Sequence, residues 1–297
     1  MPLTVAAIGE MTAPIDHSID SRWLMAYASS VEAMAPPYID TTRPDGIVAH
    51  PVFTSAIEWP AVLAMRDRLA AHGLEPHEAA RGVHLTHDVV LRRPIHAGDH
   101  LHTTATVRSM TARRSGALVE LDLVTTDDGG HPVAETVMGT LYRDVAVTGA
   151  EPALSTDTTQ SVPPTHPSQL GTDPDVQFGI EIPANAAHVY TECSRIWNPI
   201  HTDARTAARA GLPGIILHGT ATLALALSGL VARLAADDPQ RVQGITCRFA
   251  AMVGLPSRLT VRAWRPIDDR RIGFVVKGPA GELVLRDGWL DLGERTS

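Results

Sequence analysis

The sequence predicts an α+β fold built twice along one chain. Three sequence blocks recur in the same order in the two halves. In each half one apolar helical run precedes several segments that alternate apolar and polar residues. Between the halves lies a stretch rich in Pro, Ser, Thr and Asp with no apolar period.

The first block pairs Ala35-Pro36-Pro37-Tyr38-Ile39-Asp40 with Asn198-Pro199-Ile200-His201-Thr202-Asp203. The second pairs residues 45–56 with 213–224 and sets His50 opposite His218. The third pairs 85–101 with 245–259. One match could arise by chance; three in order point to duplication. Each second block runs into a helix, predicted over 52–71 and 215–236. In the first half strands follow on Leu101, Thr103, Ala105 and Val107, then on Val119, Leu121 and Leu123, then on Val133, Val137 and Leu141. An Asp128-Gly129-Gly130 turn lies between the last two. In the second half Leu259, Val261 and Ala263 alternate, then Phe274 and Val276, then Leu283 and Leu285. A helix followed by an antiparallel meander suggests a curved sheet wrapped around that helix. A lone unit would leave a sheet edge open, and edge-to-edge pairing of two copies closes it. The predicted domains are residues 1–147 and 176–297, joined by a linker over 148–175.

Composition narrows the function. Hydrophobic residues are 44% and charged residues 20%, as in a globular protein. Aromatics are only 4%, so Ala, Val, Leu and Ile must build the core. A net charge of −8 argues against nucleic acid as a partner, since that needs clustered Lys and Arg. The two cysteines, Cys193 and Cys247, make a disulfide framework improbable and a reducing cytoplasm the default. The longest apolar run, 215–227, is broken by His218, Gly219 and two threonines, which suits a buried helix and no membrane span.

The chemistry-bearing motif runs from Tyr190 to Asp203, reading Tyr-Thr-Glu-Cys-Ser-Arg-Ile-Trp-Asn-Pro-Ile-His-Thr-Asp. It continues through Ala207-Ala208-Arg209-Ala210-Gly211 to Leu217-His218-Gly219. This run resembles the signature of the MaoC-like (R)-specific hydratase/dehydratase family. The resemblance implies a double hotdog, with substrates that are acyl thioesters of coenzyme A or acyl carrier protein, in fatty-acid or polyketide metabolism. It implies water addition or removal across the α,β-bond of the acyl chain by an Asp and a His five residues apart. The His falls on His201. The Asp falls on Ile196, where this chain reads Ser194-Arg195-Ile196 in place of Ser-Gly-Asp.

That departure has a physical consequence. Hydration needs one group to take a proton from water and another to deliver one to carbon, and Ile196 does neither. The remaining elements suit chemistry with one acid/base group, such as elimination, isomerisation or cyclisation. His201 has an ordinary pKa near ~6.5, which fits a base at cellular pH. Asn198 would position it or bind the thioester carbonyl. The N–H of Gly219, at a helix start, would hold the developing oxyanion, with the missing Cβ allowing close approach. His218 supports that helix start, and Ile196 and Arg195 flank the substrate.

Three further residues are candidates for support. Asp203 is expected to cap the Ala-rich helix that follows. Glu192 is the nearest upstream carboxylate that could replace the missing Asp, and Tyr190 is the third. Cys193 lacks a local base. Trp197 is expected to pack against the other half. His84, His87, His96, His100 and His102 lack the ligand spacing of a zinc site and read as scattered exposed side chains. No metal or cofactor is expected. In the first half Tyr38 stands at the His201 place and Ala33 at the Asp place, so one site per chain is expected. The alternative reading is a non-catalytic acyl-thioester binding subunit. Self-association as a homodimer and pairing with an active homologue both stay open.

Overall fold

The computed structural model describes residues 2–149, 173–265 and 270–294. Residues 150–172, most of the expected linker, lie outside the described residues.

The N-terminal lobe runs β1 (Leu3–Thr4), β2 (Ile15–Ser18), α1 (Ser21–Ser30), α2 (Pro36–Ile39), α3 (Thr54–Ala70), α4 (Pro76–Ala79) and β3 (Gly82–Leu91). It ends with β4 (His100–Arg113), β5 (Gly116–Asp127), β6 (Pro132–Arg143) and β7 (Val147–Thr148). Local chemistry sets these limits. Asp20 opens α1 by accepting the Trp23 N–H at 2.7 Å. The β5–β6 turn closes on Asp127, whose Oδ1 accepts the Gly129 and His131 N–H groups, each at 2.9 Å. Gly130 takes the left-handed conformation there at φ +77. Ile57, Ala61, Met65 and Leu69 recur every four residues and form the buried face of α3. They meet the inward residues of β4, where Leu101, Thr103, Ala105 and Val107 are buried in alternation.

The C-terminal lobe repeats this plan with β8 (Val176–Ile182), α5 (Ala186–Ser194), α6 (Ala204–Arg209), α7 (Gly219–Leu234), β9 (Val242–Phe249), β10 (Ser257–Trp264), β11 (Arg271–Lys277) and β12 (Leu283–Leu292). Small residues let α7 sit close to its sheet. A Cβ on Gly229 would lie 2.3 Å from the Phe178 ring. No helix among the described residues is long and apolar enough to cross a membrane.

Ten strands make one sheet in the order β2-β4-β5-β6-β3-β9-β12-β11-β10-β8, with every neighbour antiparallel. The order reads the same from either end once β3 is matched to β9. The lobes are therefore related by a pseudo-twofold axis, and each is a helix wrapped by antiparallel strands: a double hotdog. At the seam Thr86 pairs with Arg248, His87 with Cys247 and Asp88 with Thr246. His87 and Cys247 are equivalent positions of the third repeated block, so the axis passes between them. Tyr27 and Tyr190 are another equivalent pair, and their hydroxyls meet at 3.3 Å where α1 packs on α5.

Candidate active site

His201 ends a 3-10 turn, Pro199–His201, that Asn198 opens by accepting the Ile200 N–H on its side-chain oxygen at 3.5 Å. Nδ1 of His201 lies 2.8 Å from the Ile216 carbonyl oxygen. A carbonyl only accepts, so Nδ1 carries the proton and Nε2 the lone pair. Burial pushes the His201 pKa down to about 4, with the Ile216 carbonyl opposing the shift. The ring is therefore neutral at cellular pH.

His218 stacks on it, ring centroids 3.7 Å apart and 25° between planes. His218 occupies the N-cap position of α7 but makes no side-chain cap bond. Its Nε2 lies 3.3 Å from Thr191 Oγ1 and 3.4 Å from the Ile196 carbonyl oxygen, which makes Nε2 the protonated nitrogen. Burial, and then the neighbouring His201, hold its pKa well below the usual histidine value.

Next in the chain, Gly219 begins a helix of 16 residues, whose first N–H groups have no intrahelical acceptor. A Cβ at Gly219 would stand 2.8 Å and 2.9 Å from two carbons of the Phe249 ring. The packing of Phe249 thus requires glycine here, whatever a substrate requires.

His201, His218, Gly219, Asn198 and Ile196 all line one cavity of about 380 Å³ between the lobes. The N-terminal lobe supplies the facing wall, including Ser55, Glu58, Trp59, His84 and His87. At the pseudo-symmetric place Tyr38 stands where His201 stands, its ring 5.7 Å from His50. That ring is buried, and the adjoining space is about 90 Å³.

Several expected residues lie elsewhere. Glu192 points to solvent, because α5 turns Tyr190, Thr191 and Ser194 inward and its opposite side outward. Arg195 also leaves the cavity. It sits in the left-handed conformation at φ 61, exposed, with its guanidinium 4.0 Å from the centroid of Trp23 in the other lobe. Tyr190 is buried, donates to Thr220 Oγ1 at 3.1 Å and props the start of α7, and burial pushes its pKa up to about 12. Asp203 is exposed and accepts the Thr206 N–H at 2.6 Å, capping α6. Trp197 is 59% exposed.

The histidine expectation also needs correction. His84 and His87 are not exposed: they stack edge to face at 5.2 Å, and both line the cavity. Together with Glu58 they are the site residues that motif reasoning missed. A visible signal was a carboxylate on the apolar face of α3, in Ser55-Ala56-Ile57-Glu58-Trp59.

Comparison with known proteins places both lobes. A family described as MaoC like domain matches residues 165–277, and one described as FAS1-like, dehydratase domain region matches 6–136. An enoyl-CoA hydratase of Mycobacterium tuberculosis, ChsH3, is 36% identical over 112 residues, which are 38% of this chain and 38% of that protein. The chain thus matches well under two thirds of that relative's length. The 3-hydroxyacyl-thioester dehydratase Y of the same organism is 26% identical over 97% of this chain and 98% of its own length. A MaoC-like dehydratase structure from Phytophthora capsici superposes with a TM-score of 0.79 at 19% identity, covering 98% of each chain. The chain is a double-hotdog protein with a MaoC-like domain in its C-terminal lobe and a FAS1-like dehydratase region in its N-terminal lobe.

Proposed function

We propose that this protein is an acyl-thioester lyase of the hydratase/dehydratase type, working with a modified site in which His201 is the base. The observation that carries this is the 2.8 Å bond from His201 Nδ1 to the Ile216 carbonyl, which leaves Nε2 unprotonated in a cavity that Gly219 also lines. The hydratase and dehydratase names of the relatives support the substrate class.

On a 3-hydroxyacyl thioester, Nε2 of His201 takes the α-proton, and the electron pair of the C–H bond moves into an enolate. The enolate oxygen receives the Gly219 N–H, aided by the positive end of the α7 dipole. The enolate then forms the α,β double bond as the β C–O bond breaks. The imidazolium returns its proton to the departing hydroxide, and water leaves. One group acts in turn as base and acid, which offsets the loss of the carboxylate at position 196. Its low pKa makes the imidazolium a strong acid in the second half of this sequence.

The test is turnover of trans-2-enoyl and (R)-3-hydroxyacyl CoA thioesters by the wild-type protein and by His201→Ala. We expect the variant to lose about 10²-fold or more, the usual worth of a positioned acid/base group. An unchanged rate removes His201 from the mechanism.

One observation favours a second reading. Among the described residues that line the cavity, the only carboxylate is Glu58, and position 196 is a buried isoleucine. A binding subunit without turnover fits that lining. Thioester binding with no turnover alone, and co-purification with an active homologue, would decide for it.

A further inference from the structure

The cavity lining ranges from exposed residues, such as Met252 at 53%, to deeply buried ones of the N-terminal lobe, Glu58 at 2% and His87 at 1%. A plain hydrocarbon tail calls for an apolar wall at such depth. This one is polar. Neither ring nitrogen of His87 has a hydrogen-bond partner among the described residues, and neither does Ser55 Oγ. Trp59, another lining residue, has no partner for its Nε1 among the described residues. Glu58 holds one contact, accepting the Thr136 hydroxyl on Oε1.

Buried polar groups are paired in folded proteins because leaving them unpaired costs stability. Three neighbouring residues with unpartnered donors or acceptors, all lining one cavity, are a site prepared for a ligand. The fold itself gives no reason for them. Their equivalents in the C-terminal lobe are Leu223 for Ser55, Ala226 for Glu58 and Cys247 for His87.

We propose that this buried polar wall recognises an uncharged oxygen function, a hydroxyl or keto group, carried on the acyl chain away from its thioester. The proposal rests on the reading above that the cavity holds an acyl thioester. The chemistry of the lining selects the ligand class. Ser55, Trp59 and His87 offer donors and a lone pair with no fixed charge, and none of them is a cation that would hold a carboxylate. Burial lifts the Glu58 carboxyl to about 7 and lowers His87 to about 4, so burial shifts both groups toward their neutral forms. Arg66, Arg81 and Arg143 line the cavity as well, but they are only half-buried, and Arg81 is paired with Asp144 at 3.7 Å.

Binding can be measured without turnover. The probes are dodecanoyl-CoA and chain-matched dodecanoyl-CoA thioesters bearing one hydroxyl at successive carbons, followed by calorimetry. We expect at least one hydroxylated probe to bind wild-type protein about 10-fold or more tighter than the plain chain. His87→Leu and Glu58→Gln should each cut that preference to about 2-fold or less, while dodecanoyl-CoA binds as well as before or better. Retained plain-chain binding reports that the variants are folded. Equal binding of plain and hydroxylated probes to wild-type protein overturns the proposal, as does a preference that survives both substitutions. If no probe binds at all, the thioester reading itself fails, and the subsite falls with it.

Discussion

The imidazole of His218 lies face to face with that of His201 at 3.7 Å, and its Nε2 is tied to the carbonyl oxygen of Ile196. Position 196 is therefore joined to the histidine pair through backbone, and its side chain lines the same cavity.

A carboxylate there would complete the pair that the family signature carries. Ile196→Asp should raise hydration of a trans-2-enoyl CoA thioester by about 10²-fold in kcat/KM. The new anion should also raise the His201 pKa from about 4, visible as a shift of the acid limb of the pH–rate profile. An unchanged rate would mean that position 196 does not face the reacting carbons.

Gly219→Ala should destabilise the protein, although alanine is ordinarily the better helix residue by about 1 kcal/mol. The added Cβ meets the Phe249 ring at 2.8 Å, and that ring already packs on His84 at 4.5 Å. A lowered melting temperature, partly restored by Phe249→Leu in the same chain, is the expected result.

Stability should fall as the medium is acidified from about pH 6.5 towards 4.5. His50, His87 and His201 have folded pKa values of about 3, 4 and 4, against an ordinary 6.5. In this window the unfolded chain takes up protons that the folded chain refuses, so acid favours unfolding. Glu58 works in the opposite sense. Its folded pKa of about 7, against 4.5, means that the folded chain holds the extra proton in the same window. Three histidines outweigh one carboxyl. Urea midpoints across the window would show the fall, and Glu58→Gln should make it steeper.

Tyr27→Phe removes a buried hydroxyl that donates to the Val52 carbonyl at 3.0 Å and meets Tyr190 on the axis. The expected loss is about 1–2 kcal/mol in equilibrium unfolding, with little change in plain thioester binding. A loss of binding alone would contradict the structural role.

The architecture was legible because a duplicated sequence carries its own alignment. The pairing of His50 with His218 and of residue 85 with 245 already implied matching lobes joined edge to edge, and the structure puts that edge at β3 and β9. His201 and Gly219 were legible because their neighbours fit a signature over a long run. Glu192 was misplaced because nearness in sequence says nothing of helical phase, and α5 turns that side chain outward. Arg195 was expected to flank the substrate, but its left-handed backbone carries it out onto Trp23. Glycine takes that conformation at little cost, which accounts for the glycine of the family signature at this place. Glu58 and His87 escaped because only the tertiary fold brings a residue of α3 and one of β3 to the same cavity.

The seam between Thr86–Val90 and Gly244–Arg248 joins the two lobes into one continuous ten-stranded sheet. Parting the lobes to admit a guest would break a continuous ladder of backbone hydrogen bonds in mid-sheet. A guest that leaves this ladder intact has to enter past exposed lining residues such as Val83 and Met252, so their bulk bears on what it can carry.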